Sequence, residues 1–505
     1  MDWVVWILFV VTLAINLRAL YRLLVDWKGM WTTLGETRKA YRDLDALPTV
    51  KTLNERDDAP VFIHIVPAYQ EPHITDTLGV LLGSRYPLQK LRIIVATKEE
   101  EEVRPHPAMG GSTADIVRRF WAGLPAHAKP VLQQVAMPGV GRKAHQLNWA
   151  LNSWVVRDVI RTTAADRVFV GVSDADSIPD LDVFRWIARE ELAGRGARAY
   201  QGITLSLANF ERLGLLERVC AAQQSSIFIR VSIARFINEA KRTRAAETIC
   251  RGVAWAERIV RPLLDLLLLR SHICLGHNQF VRLDVLRSIG GFPTEGATED
   301  SMLGYKLGER RLPVRVLPLL ELNELPESRE KIVNQNARWY NGALDDARYL
   351  WRAWRASPSF YNFAQAVRHT GGKVFEWPIA AVMYPVFGFL GGRLAYEYYD
   401  RPFLFWPALL IPGATLVVSI WVSGVEVQRV IERMAPFLPR AVEVRRQTWK
   451  AKFLGVFRCQ TYWLLATRGA WRVIWTLLHG RTFIPTKTDR ARAGSPRKRP
   501  GVSRA

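Results

Sequence analysis

An α/β fold, with a mostly parallel sheet flanked by helices and with transmembrane or interfacial helices at both ends of the chain, is the class this sequence predicts. Three observations lead there. Near-continuous apolar runs alternate with helical stretches between about residues 60 and 200, the pattern of strands covered on both faces. One apolar run opens the chain and two more follow Lys373, each suited to lipid rather than to a surface helix. And two carboxylates stand one residue apart where a strand should end, in SDADSIP at Ser173 to Pro179.

The elements follow in order. WVVWILFVVTLAINL, Trp3 to Leu17, predicts an anchoring helix; it is short for a span, and Arg18 and Arg22 extend it by reaching for the headgroups. No basic stretch precedes it, which argues against a cleaved leader. VFIHIV (Val61 to Val66), LRIIVAT (Leu91 to Thr97), VLQQVAM (Val131 to Met137) and VFVGV (Val168 to Val172) predict four strands, with His64 inside the first as a core residue. A helix over Lys143 to Val156 places Leu147, Ala150, Leu151 and Trp154 on one face, and another starts near Leu181. The segment 211–270 reads as an amphipathic helical insert that rests on the membrane or packs on the sheet.

Val374 to Tyr399 and Pro402 to Gly424 form a membrane hairpin about Asp400 and Arg401; their prolines and glycines suit lipid-embedded helices. From Val425 to Lys452 seven basic residues stand against three acidic ones, so this stretch belongs in the cytoplasm. Phe453 to Leu478 is interrupted by Arg458, Arg468 and Arg472, which favours an interfacial helix over a fourth span. The expected organisation is an anchor at 1–28, a cytoplasmic domain at 29–370, a hairpin at 374–424, a basic linker and last helix at 425–480, and a basic tail at 481–505.

The formal net charge is +23, from 70 basic against 47 acidic residues, which suits polyanions, anionic lipid or a phosphorylated substrate. The basic residues cluster at the cytoplasmic flanks, as anionic lipid requires, and no nucleic-acid-binding pattern occurs. Cys220, Cys250, Cys274 and Cys459 lie far apart with no CxxC, so neither a disulfide framework nor a thiolate zinc site is expected. No GxGxxG follows the first strand and no P-loop occurs.

Parallel sheets bind ligands at the carboxyl ends of their strands, and Asp174 and Asp176 sit at such an end. Together they could share Mg²⁺ or Mn²⁺ with a substrate diphosphate; the alternative is a turn capping the next helix. Glu299 and Asp300 open another expected helix, which Thr298 could cap; a carboxylate there could instead take a proton from a hydroxyl nucleophile. In NQNARWYNG, Gln335 and Arg338 share a helical face, Arg338 suits a phosphate, and Trp339 offers a flat surface to a sugar or isoprenoid. His277, in GHNQFVR, is either a ligand of the cation or a satisfied loop histidine.

IVPAYQE at 65–71, GRKAHQLNWAL at 141–151, SDADS at 173, TED at 298 and QNARW at 335 stand in the order found in membrane-bound family 2 glycosyltransferases, whose relatives include cellulose, chitin and hyaluronan synthases. The resemblance covers about Val61 to Gly342, and TFIPTKT near the C-terminus extends it. It implies a GT-A fold and an inverting, metal-dependent transfer from a nucleotide sugar, with a UDP sugar the usual donor. Asp176 would be the main metal ligand and Asp174 would touch metal and nucleotide. Asp300 would be the base beside Glu299. Gln335, Arg338 and Trp339 would lie near diphosphate and acceptor. Pro67, Ala68, Tyr69 and Glu71 would line the nucleotide site, with Lys143 close by. The strand-end Asp that usually meets the nucleobase is missing from IIVATKEEEE, where Glu99 is the substitute. The acceptor would be a lipid-linked sugar or glycan at the cytoplasmic membrane face. A processive synthase that exports its product, and a non-catalytic scaffold for polyanions, are the alternatives.

Overall fold

The computed structural model describes residues 3–105, 109–233, 250–256, 274–310, 312–440 and 449–483, with isolated positions between them. Most of the insert beyond Ile233, and the tail beyond Phe483, lie outside the described residues.

Among the described residues seven strands form one sheet: β1 (Val61–Pro67), β2 (Leu91–Lys98), β3 (Leu132–Met137), β4 (Val168–Val172), β5 (Ala199–Leu205), β6 (Gln279–Arg282) and β7 (Val314–Leu322). Their order is β3-β2-β1-β4-β6-β5-β7. All neighbours are parallel except β6, which runs antiparallel to both β4 and β5. The first four strands stand where apolar runs predict them. The strand order reverses between β1 and β4, the place where such sheets open a crevice at their carboxyl ends.

Alternation along the strands explains their uniform apolarity. Ile63 and Ile65 of β1, with Val168, Val170 and Val172 of β4, enter the larger core; Phe62, Val66 and Phe169 enter the core on the opposite face. His64 is fully buried against the rings of Phe184 and Phe280. The helix expected over Lys143 to Val156 is two helices. The first, α2 (Lys143–Leu151), ends before Asn152, and Trp154 opens the second with its ring largely exposed.

Preceding the sheet, α1 (Trp3–Arg42) runs for 40 residues, roughly 60 Å at 1.5 Å per residue. Its end reaches the larger core through Met30 and Leu34. Beyond α3 (Glu299–Glu309) and the long α4 (Arg329–Ala356) come α5 (Phe360–His369), α6 (Glu376–Glu397) and α7 (Pro402–Ile420). Among the described residues, Trp3–Arg42 and Pro402–Phe437 are long and apolar enough to cross a membrane; Asn362–Met383 with Pro385–Glu397 makes a third if that bent pair is one span.

Arg18 and Arg22 do not simply reach outward: both pair with Glu376 of α6, while Trp27 and Trp31 donate to Glu426 at 3.0 and 2.9 Å. The stretch read as a basic linker begins as α8 (Val427–Met434), whose Val427, Val430, Ile431 and Met434 belong to the larger core. The last helix, α9 (Trp449–Leu478), lies against α4. At their crossing a Cβ on Gly469 would stand 2.8 Å from both the Ala337 nitrogen and the Val333 carbonyl, so the two backbones touch.

Candidate active site

The loop after β4 is held by one buried carboxylate. Ser173 Oγ donates to Glu321 Oε2 at 3.0 Å and Ser177 Oγ to Glu321 Oε1 at 3.3 Å, so β7 grips both flanks of Asp174–Asp176. The backbone N–H of Glu324 donates to Asp176 Oδ2 at 3.3 Å. His277 Nδ1 lies 2.7 Å from Glu321 Oε1. Burial alone would lower the histidine's pKa; the hydrogen bond and charge of Glu321 outweigh it and hold the ring above its ordinary value.

His277 was read as a cation ligand or a satisfied loop histidine, and the structure gives its Nδ1 a partner in Glu321. His277 lines the same cavity as Asp174 and Asp176, but its Nδ1 belongs to Glu321. Among the described residues no three His, Cys, Asp or Glu side chains group to hold an ion.

Lys143 occupies the centre. As the first residue of α2 it points into the crevice, where Nζ donates to Asp174 Oδ1 and to the Gly276 carbonyl, both at 2.7 Å, and lies 3.4 Å from Glu299 Oε1. Burial opposes its charge, but Asp174 and Glu299 overcome that and raise its pKa. The pKa of Glu299 is raised by burial, with Lys143 opposing and Asp300 adding to the rise. Gly276 has φ +76°, and a Cβ there would stand 2.8 Å from Asp300 Oδ2. Glycine alone lets the carboxylate lie against this backbone.

Glu299 and Asp300 open α3, as expected. Thr298 does not cap it: no side-chain bond forms there, because Thr298 is packed against α4 where Gly342 leaves it room. From α4, Gln335, Arg338 and Trp339 line the same cavity, and Gln335 Oε1 is buried without a hydrogen-bond partner among the described residues.

At the end of β1, Pro67, Tyr69 and Glu71 line the cavity. Ala68 lies behind the wall, its carbonyl accepting from Gln146 Nε2 at 3.0 Å. Lys98 sits over the Tyr69 ring at 4.5 Å. Glu99 is exposed and does not line the cavity, because β2 ends at Lys98 and Glu99 starts a short helix facing solvent. The buried carboxylate here is Glu101. It accepts from Thr113 N and Oγ1 at 2.7 and 2.6 Å, and Thr113 Oγ1 in turn accepts from the Glu71 N–H at 3.0 Å. Glu101, Glu321 and the cavity-lining Asp346 were not found from sequence: each is an acidic residue without a motif, and the serines that Glu321 holds lie 148 and 144 residues away.

The cavity, about 1990 Å³, does not stop at these residues. It continues between the apolar helices, past Ala19 and Leu23 of α1, Met383 and Phe389 of α6, and Leu409 and Leu416 of α7. Thr482 and Phe483, at the start of the TFIPTKT stretch, also line it.

Comparison with solved structures finds the mannosyltransferase PcManGT from Pyrobaculum calidifontis, in complex with GDP-Man and Mn²⁺, at 14% identity and TM-score 0.39, covering 89% of this chain and 99% of its own. It also finds S. aureus TarS 1-349 in complex with UDP-GlcNAc, at 11% identity and TM-score 0.32, covering 83% of this chain and 92% of its own. No curated protein matches the chain. Residues 59–342 match glycosyltransferase like family 2, a stretch that holds the sheet, the carboxylate loop, α3 and the QNARW turn of α4; as it is more than half of the chain, the protein belongs to that family.

Proposed function

We propose that this protein is an inverting glycosyltransferase that moves a sugar from a nucleoside diphosphate sugar to the hydroxyl of a lipid-linked acceptor at the cytoplasmic membrane face. The observation that carries this reading is the single cavity in which Lys143 joins Asp174 and Glu299, Asp300 lies against Gly276, and apolar membrane-type helices form the continuing wall.

The acceptor hydroxyl attacks the anomeric carbon while the bond from that carbon to the diphosphate oxygen breaks. Asp300 takes the hydroxyl proton. Gln335 and Arg338 hold the departing diphosphate, and Trp339 stacks on a sugar. Pro67 and Tyr69 wall the nucleotide, and Glu101 fixes this wall through Thr113 and the Glu71 backbone.

Asp174 and Asp176 fit a hard divalent cation. They are oxygen donors at one strand end, and the lysine ammonium between Asp174 and Glu299 marks a place built for positive charge. Mg²⁺ or Mn²⁺ held there would neutralise the diphosphate, which supplies further oxygen ligands.

The test uses the full-length protein in vesicles of membrane lipid extract, a panel of UDP and GDP sugars, and nucleoside diphosphate release as the signal. Release that needs Mg²⁺ or Mn²⁺ is expected. Asp176→Asn should reduce it by about 10²-fold or more, the scale of losing one positioned charge-stabilising group. Silence with every donor, or undiminished release by this variant in excess chelator, would overturn the reading.

A further inference from the structure

One buried carboxylate stands behind the cavity without lining it. Glu321 of β7 is fully buried between the core leucines Leu320 and Leu322. A carboxylate in such a place is costly unless its oxygens are met. They are met from three segments. Ser173 and Ser177 donate from the loop after β4, at 3.0 and 3.3 Å. His277 Nδ1 lies 2.7 Å from Oε1, and the Thr204 hydroxyl of β5 lies 3.2 Å from that nitrogen and 3.5 Å from Oε1. The histidine is itself fixed, since its carbonyl accepts from Gln201 Nε2 of β5 at 3.0 Å. The carboxylate is thus clamped on one side and grips two serines on the other.

Those serines are the residues on either side of Asp174, Ala175 and Asp176. The stretch between them is a turn, closed by the Ser177 N–H on the Asp174 carbonyl at 3.0 Å. Just beyond it, Ile178 and Leu322 exchange both backbone bonds, at 2.7 and 3.0 Å, and the Glu324 N–H meets Asp176 Oδ2 at 3.3 Å. Backbone bonds of this kind are open to many side chains. The two serine bonds depend on Glu321. Small hard cations tolerate little departure from ideal geometry, and the groups behind their ligands set how the ligands point.

We propose that Glu321 is a positioning residue for the cation site: clamped by His277, it holds Ser173 and Ser177 and so fixes the angle at which Asp174 and Asp176 face the cavity. This rests on the reading of those two aspartates as the ligands of the cation.

The experiment uses full-length protein in neutral detergent, with Mn²⁺ alone as the probe and free ion counted by its electron paramagnetic resonance signal. Melting temperatures are recorded alongside, and binding is measured well below them. Asp176→Asn should remove the site. Glu321→Gln keeps the shape but brings N–H groups where serines and histidine need an acceptor. Its Mn²⁺ dissociation constant should rise about 10- to 100-fold, the scale of losing a group that orients a ligand. The pair Ser173→Ala and Ser177→Ala should cost about tenfold in the wild-type chain. Added to Glu321→Gln, the same pair should cost less than about twofold, because all three side chains act as one unit.

If Asp176→Asn loses the ion while Glu321→Gln binds it like wild type, the role of Glu321 is overturned and the cation site stands, even where the melting temperature drops. If Glu321→Gln weakens binding and the serine pair does not, Glu321 acts by charge alone and the positioning role is overturned. A serine pair that costs as much beside Glu321→Gln as without it also overturns the role. Mn²⁺ held as tightly by Asp176→Asn as by wild type would sink the reading of the site itself. Should Glu321→Gln not fold, the serine pair decides: unchanged affinity overturns the proposal.

Discussion

Asp346, a buried carboxyl on α4, leaves a signature in stability. In the unfolded chain an aspartate ionises near 3.8, whereas burial holds this one protonated to about 7. Between those values the folded state keeps a proton that unfolding releases, so stability falls as pH rises through the window. About three pKa units correspond to a loss on the order of 4 kcal/mol. Asp346→Asn removes this dependence. Its melting temperature should gain on wild type between pH 5 and pH 8, and a constant difference across that range would show that Asp346 is ionised throughout. The same residue shows where sequence reading stops. Asp174, Asp300 and Arg338 sit in short ordered motifs and were legible. Asp346 sits in an ordinary helical stretch and Glu321 in an apolar strand, and neither carries a local motif; Ser173 is 148 residues from Glu321. A buried carboxylate has no local signal when its partners arrive only by folding.

At the level of elements, the strands covered on both faces by apolar side chains were readable, and β5, β6 and β7 were not. β5 contains Gln201 and Gly202, β6 has only four residues, and β7 carries Pro318 and the buried Glu321. Tertiary partners make these segments strands: β5 and β7 pair with each other, and β6 fits between β4 and β5. The contact of α9 with α4 offers a direct test of how elements support the site. At Gly469 the opposing atoms are backbone, which cannot rotate aside. Gly469→Leu should therefore push α9 off α4 at a cost of about 1–3 kcal/mol, the range for overpacking. Because the other side of α4 carries Gln335, Trp339 and Asp346, transfer should fall along with the melting temperature. Full activity in this variant would mean that α4 is held by α3 and the sheet alone.

On the scale of the whole molecule, α1 is a single rod from Trp3 to the larger core, joined to α6 through Arg18, Arg22 and Glu376 and to the end of the hairpin through Trp27, Trp31 and Glu426. The same cavity touches this rod, the hairpin and the carboxylates Asp174, Glu299 and Asp300. If the acceptor is lipid-linked, as proposed, it can enter between the apolar helices and reach Asp300 without crossing water. Its chemical potential at the active site is then set in two dimensions, by its mole fraction among the surrounding lipids, and the volume of the aqueous phase drops out. Mixing inert lipid into the vesicles at fixed acceptor and enzyme should lower the rate below saturation, in proportion to the acceptor's surface density. Diluting the suspension with buffer, donor and metal held constant, should leave turnover per enzyme unchanged. The enzyme would behave as a surface catalyst whose Michaelis constant for acceptor is a composition of the bilayer, measured in molecules per hundred lipids.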